Sequence, residues 1–227
     1  MTQNKRVLTI AIIGLLFASS TYLLGWSQVF SVREVAITGV PTEQSAVEVK
    51  KALEITPGIK MARVEPRSLR RRLDSFGWIG SVNISRNWIN RKVSIEISPR
   101  VPIAEFNPLT SPQMLMDSEG KLFKLPGNSN SNLPRVEAVD TKSGLLAIDL
   151  FTSLPQSFRS SIVLMSARSS GTFSVTYLFG GRSIRIVWGD AKNTSLKVEV
   201  INALLGLPEN SKISTIDVSA PHAPIVK

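Results

Sequence analysis

The chain offers few side chains with the chemistry of an active site. It contains a single histidine, His222, and no cysteine, which excludes a cysteine nucleophile and a thiolate metal site. A serine hydrolase that used His222 as its base would need a nucleophilic serine on a strained turn, typically Gly-x-Ser-x-Gly ahead of a helix. No such sequence is present. We therefore expect that the protein is not an enzyme.

The carboxylates and glycines also lack the patterns of a metal site or a cofactor site. Asp117 and Glu119 stand two residues apart in a turn sequence, but a calcium site needs a loop with five or six oxygen ligands. A polar turn in which Asp117 accepts hydrogen bonds from the following backbone is the favoured interpretation. Gly180-Gly181 suits a hairpin turn and is not followed by a helix, as a dinucleotide-binding loop would be. We expect no metal, no cofactor and no small-molecule substrate.

The longest apolar run, Val7 to Trp26, is twenty residues without a charge and follows Lys5 and Arg6. As a helix it would span about 30 Å, the thickness of a bilayer's hydrocarbon core. The pattern predicts a cytoplasmic segment at residues 1–6, a transmembrane helix with its juxtamembrane end at 7–30, and residues 31–227 outside the cytoplasm. A cleaved signal peptide ending near Ala18-Ser19-Ser20 is the alternative, although the run is longer than such peptides usually have.

The chain is basic, with a net charge of +10 and a pI near 10.2. The excess is concentrated in residues 31–100, which hold 13 Lys and Arg against 7 Asp and Glu. Because nucleic acid would meet only the short cytoplasmic segment, we expect no nucleic-acid partner. A basic domain beside a membrane suits contact with anionic lipid or wall polymer, whereas simple solvation explains the charges equally well. Solvation is the favoured interpretation for Arg70-Arg71-Arg72.

Residues 31–98 have the pattern of a compact βααββ domain. A β-branched strand ends at Gly39, Thr42 is placed to cap a helix, and Pro66 opens a second helix. A hairpin follows between residues 79 and 97. Its expected core residues are apolar and fall at helical or strand spacing: Val35, Ile37, Leu53, Leu69, Leu73, Val82, Ile84, Val93 and Ile95.

Residues 99–220 have the pattern of a mixed β-rich domain with a few helices, and 221–227 of a C-terminal tail. Pro99 and Pro102 interrupt any central strand, which places the boundary there. The predicted strands are 103–106, 113–116, 121–124, 135–139, 173–179, 184–188 and 213–219, and the predicted helices are 145–154 and 197–205. The expected fold class is therefore α+β, with an N-terminal transmembrane helix ahead of the two domains.

Several short sequences occur in a fixed order along the chain. They are Phe30-Ser31-Val32 with Gly39, Leu69 and Leu73 ahead of Trp78-Ile79-Gly80-Ser81-Val82, Arg86-Asn87-Trp88, Arg100-Val101-Pro102-Ile103-Ala104, Met116-Asp117 with Gly120 and Phe123, Leu133-Pro134-Arg135-Val136, Trp188-Gly189, Lys197 and Ile216-Asp217-Val218-Ser219. In this order they resemble the bacterial cell-division family FtsQ/DivIB. Ile89, Gly77 and Pro99 depart from the usual pattern of that family.

The resemblance implies that the βααββ domain is similar to a POTRA domain, a polypeptide-transport-associated fold. It also implies a non-enzymatic single-pass membrane scaffold at the division septum, with partners similar to FtsB and FtsL. Strand addition to an exposed sheet edge is the expected binding mode. A membrane-anchored protein that binds wall polymers, or a wall-associated enzyme, is the alternative.

The resemblance further implies that the last strand and its continuation form the docking edge. A strand at the C-terminal end of a domain has only one neighbour in sequence, which can leave its other side free. In the alternative, this strand lies inside the sheet and is paired on both sides. The expected partner-binding residues are Val218, Ser219, Ala220, Pro221, His222 and Val226.

Overall fold

The computed structural model describes residues 3–25, 30–108, 114–126 and 132–227. It is an α+β protein with two compact units. The first extends to Arg100 and the second begins at Val101, except that a short stretch starting at Leu125 groups with the first. A mixed α+β fold with a β-rich C-terminal part agrees with the prediction.

The first unit begins with helix α1, Gln3–Gly25. Its described side chains, residues 7–22, are all exposed. In the described ranges, no helix combines the length and the apolar character needed to cross a membrane. The predicted transmembrane helix is therefore not confirmed, although a helix does form at the predicted place.

The rest of the first unit has the predicted order of strand, helix, helix, strand, strand. A 3₁₀ turn at Met61–Arg63 lies between the two helices. The three strands form a sheet in the order β1-β3-β2, with β1 parallel and β2 antiparallel to the central β3. The elements are β1 Glu34–Thr38, α2 Glu43–Leu53, α3 Pro66–Leu73, β2 Ile79–Asn87 and β3 Lys92–Pro99.

Local sequence explains the helix ends in this unit. Thr42 caps α2, because its Oγ1 accepts a hydrogen bond of 3.1 Å from the backbone N–H of Ser45. Pro66 opens α3 at a position that needs no N–H donor. The helix ends at Leu73.

The predicted core of this unit is largely correct for the helices and the central strand. It is wrong for Val35, Ile37 and Val82, which are only half-buried. These three residues lie on β1 and β2, which are the outer strands of the sheet among the described residues. The buried apolar side chains of the helices and the sheet include Val49, Leu53, Leu69, Leu73, Ile84, Val93, Ile95 and Ile97.

We expect the substitution Leu73→Ala to lower the free energy of unfolding by about 2–5 kcal/mol, because Leu73 is fully buried and the truncation leaves a cavity. Chemical denaturation measures the change. Arg71→Ala on the same helix is the control, since Arg71 is exposed and its loss should change stability by less than about 0.5 kcal/mol. An unchanged midpoint for Leu73→Ala would contradict the packing described here.

The second unit contains one continuous sheet of nine strands, in the order β12-β11-β10-β9-β8-β7-β4-β5-β6. Helix α4 packs against β7 and β8. The strands are β4 Ala104–Pro108, β5 Met114–Met116, β6 Leu122–Phe123, β7 Arg135–Ala138, β8 Ile162–Ser169, β9 Thr172–Phe179, β10 Arg182–Gly189, β11 Thr215–Asp217 and β12 Ile225–Val226. The helices are α4 Thr141–Ser153, α5 Gln156–Arg159 and α6 Thr194–Leu205, with a 3₁₀ turn at Pro208–Asn210.

Strand β8 was not predicted from the sequence. Only Met165 and Ala167 alternate inward along it, and two inward positions are a weak period-2 signal. Its place is set by long-range pairing, parallel to β7 and antiparallel to β9. Helix α4 begins earlier than predicted, because the carboxylate of Asp140 accepts a hydrogen bond of 2.7 Å from the N–H of Ser143.

Candidate partner-binding edge

The outer strand at the C-terminal end of the nine-stranded sheet is β12. The preceding strand, β11, is paired on both sides, parallel to β10 and antiparallel to β12. The prediction that residues 213–219 form a strand with a free side is therefore wrong. The chain turns back after Asp217 and adds two more strand residues, and among the described residues no strand lies beyond them.

The structure separates the six predicted partner-binding residues. Val226 lies on the outer strand, and the others belong to the segment that leads to it. Val218 is fully buried and donates its N–H to the carbonyl of Val187 at 2.9 Å. Pro221 is also buried, whereas Ser219, Ala220 and His222 are exposed. That any of them binds a partner stays a prediction. Sequence reasoning missed Ile225, which is exposed on the same outer strand.

The backbone of the outer strand has one side bonded and one side open. The Lys227 N–H donates to the carbonyl of Thr215 at 3.0 Å. The Lys227 carbonyl accepts from the backbone N–H groups of Thr215 at 3.0 Å and Ser214 at 2.7 Å. In an antiparallel pair, alternate residues face the neighbouring strand. The N–H and carbonyl of Val226 consequently point away from β11. These two groups are available for hydrogen bonds to an added strand.

The Val226 side chain ends a row of apolar residues that crosses the sheet. The strand register joins these residues side by side: Val226, Ile216, Ile186, Val175, Met165, Val136 and Phe106. Every one except Val226 is at most 1% exposed, and Val226 is 37% exposed. A strand that paired with β12 would place an apolar side chain beside Val226 and extend this row.

A buried lysine binds the backbone at the end of β10. Lys197 on α6 is 1% exposed and donates to the carbonyls of Trp188 and Asp190 at 2.9 and 2.8 Å. It also reaches Asp190 Oδ1 at 3.1 Å. Two hydrogen bonds lower the pKa of Asp190. The larger effect comes from the Lys197 side chain and the smaller from the backbone N–H of Lys192. The sequence feature that indicates burial of Lys197 is its spacing, since Lys197 precedes the buried Ile201 by four residues and lies on the same helix face.

Gly189 lies where β10 passes the same segment. Its φ is +74°, and a Cβ at this position would come within 2.8 Å of the Ser219 Cβ. The glycine therefore allows close approach of β10 to the residues after β11. Ser219 is held in turn by Asp217, whose Oδ1 accepts from the Ser219 N–H at 2.9 Å and from its Oγ at 2.6 Å.

The carboxylate considered as a metal ligand has a structural role. Asp117 Oδ1 accepts from the backbone N–H groups of Glu119 and Lys121 at 3.0 and 2.8 Å, which confirms the favoured polar turn. In the part of the chain that the structure describes, no three His, Asp or Glu side chains are placed to hold a metal ion.

The three consecutive arginines of α3 divide into two kinds. Arg72 is not simply solvated, because its Nη1 donates to Glu54 Oε2 at 2.8 Å and to the carbonyl of Leu53 at 3.0 Å. It thereby closes the C-terminal end of α2. Arg70 and Arg71 are exposed, as the solvated-face interpretation predicts.

Comparison with known proteins gives two findings. Residues 30–100 match the family of FtsQ-type POTRA domains. Over 132 residues the chain is 29% identical to a cell division protein FtsQ from Myxococcus fulvus, in an alignment that covers 56% of this chain. The aligned part is 45% of that relative, so the chain spans less than half of its length. Together these matches confirm the resemblance: residues 30–100 are similar to an FtsQ-type POTRA domain, and part of the chain is similar to a cell division protein FtsQ.

Proposed function

We propose that the protein is a non-catalytic scaffold of the bacterial cell-division machinery. It holds a partner protein by strand addition to β12. The observation that carries this proposal is the outer strand itself, where the amide groups of Val226 face outward beside the half-exposed end of a buried apolar row. Backbone bonding supplies affinity in such a complex, and the alternate side chains of the added strand supply specificity.

The partners of this edge are membrane division proteins of the FtsB and FtsL kind. The similarity to an FtsQ protein supports a division partner in general, and the geometry of the edge favours a partner with an extended segment. That segment would carry an apolar residue opposite Val226, because only an apolar group can extend the row without leaving a buried polar atom unpaired.

The location proposed for the chain is the membrane at the division site, to which α1 attaches it. Large apolar side chains project from α1 into solvent along its described length, among them Leu8, Ile10, Leu15 and Phe17. None of the residues that the structure describes covers them, and apolar surface of this extent favours a lipid environment. The two folded units would then lie on the outer side of that membrane.

We expect Val226→Pro to abolish partner capture and to leave the fold intact. Proline removes the outward N–H, which makes no bond to β11, and a proline is tolerated on an edge strand when its missing donor faces outward. Binding of a purified FtsB-like partner to the full chain, measured by biolayer interferometry, tests the loss. Circular dichroism and the thermal midpoint report the fold.

Val226→Thr is the matched control for this variant. It keeps the N–H and the β-branched shape, so binding should be retained with reduced affinity. A Val226→Pro protein that binds its partner as tightly as the unaltered chain would contradict strand addition at β12.

A second candidate function is binding of an anionic wall polymer by the first unit. Arg67, Arg70 and Arg71 on α3 are exposed, and they make no ion pair with any described residue. Capture of teichoic acid or peptidoglycan that is lost in Arg70→Ala/Arg71→Ala, together with no capture of a division partner, would favour this candidate over the scaffold.

A further inference from the structure

We propose that the turn between β2 and β3, residues 88–91, inserts into the interfacial layer of a lipid membrane. The inference rests on the proposed attachment of α1 to a membrane and adds a second point of contact. The ligand is the boundary between headgroups and acyl chains. The contacting side chains are Ile89 and Trp88, with basic residues beside them.

Ile89 is presented to solvent at the tip of an ordered turn. It is 93% exposed, more than any other large apolar side chain that the structure describes. The turn is held by a 2.9 Å hydrogen bond from the Asn90 N–H to Asn87 Oδ1 and by the left-handed conformation of Arg91. The backbone around Ile89 is therefore organised to hold an apolar side chain outward, away from the core of its own domain.

Trp88 extends this surface toward the N-terminal helix. Its ring lies edge-on to Phe30, with 6.0 Å between the ring centroids, and Phe30 is five residues past the end of α1. The Arg86 guanidinium lies 5.6 Å from the centroid of the Trp88 ring. Trp and Arg side chains combine an apolar part with a polar or charged end, and both are favoured at the boundary between lipid and water.

The turn at residues 88–91 is connected to α1 through the 3₁₀ turn at Met61–Arg63. Helix α1 contacts the 3₁₀ turn that begins at Met61. Arg86 connects this 3₁₀ turn to Trp88. Its Nη1 donates to the carbonyl of Val64 at 2.9 Å and lies 3.5 Å from that of Met61, while its guanidinium lies over the Trp88 ring. A membrane that receives the exposed apolar side chains of α1 would consequently meet Ile89 as well.

The charge around the turn favours lipid over an apolar protein partner. Arg33 is exposed and bonded through its backbone to the carbonyl of Arg91 at 2.8 Å. Arg63 is exposed on the 3₁₀ turn. Lys60, just before that turn, pairs through its backbone with Ser31 in an isolated antiparallel β-bridge. Cations around a small apolar tip match the headgroups of an anionic membrane, with the apolar tip placed just below them.

The absence of cysteine allows a direct test with one reporter. Ile89→Cys is labelled with the environment-sensitive dye NBD in the full chain, which is then reconstituted in vesicles of phosphatidylethanolamine and phosphatidylglycerol. We expect a blue-shifted emission that a nitroxide on the lipid acyl chain quenches. Ser98→Cys is the matched control, because Ser98 is exposed at the far end of β3, about 20 Å of strand from the turn. Its emission should stay unshifted and unquenched.

The outcomes separate this inference from the proposed attachment. A chain that floats with the vesicles while NBD at position 89 stays unquenched would overturn the inference and leave the attachment standing. A chain that does not float would overturn both. Protection of the label by a division protein in place of lipid would also overturn the inference. Ile89→Ser should reduce flotation on anionic vesicles without a change in the thermal midpoint.

Discussion

Gly39→Ala is expected to destabilise the first unit by more than about 3 kcal/mol, enough to leave much of the POTRA domain unfolded. Gly39 follows β1 and has a φ of +78°, and a Cβ there would lie 1.8 Å from the carbonyl oxygen of Ile97. Two penalties combine, because alanine disfavours this backbone conformation and its methyl group would overlap a backbone atom of the central strand. Thermal unfolding of the full chain, followed by circular dichroism, measures the effect.

Gly58→Ala separates the two penalties. Gly58 also has a positive φ, +97°, but no atom lies within 4 Å of a Cβ built there. This variant should lose only the conformational term, about 1–2 kcal/mol. Equal losses for the two variants would show that the backbone at Gly39 moves away from Ile97 and that the close approach is not required.

Lys197→Met is expected to lower the stability of the second unit by about 2–4 kcal/mol. Methionine fills a similar volume and removes the cost of burying an ammonium group, but the carbonyls of Trp188 and Asp190 lose their donor. Because these carbonyls end β10 beside Gly189 and Ser219, the outer strand should also be held less firmly. We therefore expect weaker partner capture as well as a lower denaturation midpoint.

The control for Lys197→Met is Lys192→Met, since the Lys192 side chain is exposed and its contact with Asp190 is made by the backbone. That variant should change stability by less than about 0.5 kcal/mol. The pKa of Asp190 is lowered in the folded protein, so its contribution is present above the ordinary value of 3.8 and is lost as the pH falls through the folded pKa. The gap between Lys197→Met and the unaltered chain should narrow in this acidic range. A gap that widens would contradict the assignment.

Short-range sequence signals predicted the βααββ domain well. The cap at Thr42, the helix start at Pro66 and the alternation of Val93, Ile95 and Ile97 each depend on a few neighbouring residues. The same holds for the Gly180-Gly181 hairpin of the second unit. Such signals depend on backbone preferences and on the side-chain period, which neighbouring residues determine. They also indicated the resemblance to FtsQ-type proteins, because the short sequences that carry it stand in order along the chain.

What the sequence by itself determined is therefore most of the helices and strands, and the resemblance to FtsQ-type proteins. The tertiary structure alone decided which strand is the edge. Residues 215–217 and 225–226 differ little in local pattern, yet β11 is enclosed by β10 on one side and β12 on the other. It also decided the burial of Lys197 and the place of β8. Strand pairing, register and burial depend on contacts between segments far apart in the chain, and these contacts exist only once the sheet has formed. Local residue preferences therefore do not determine them.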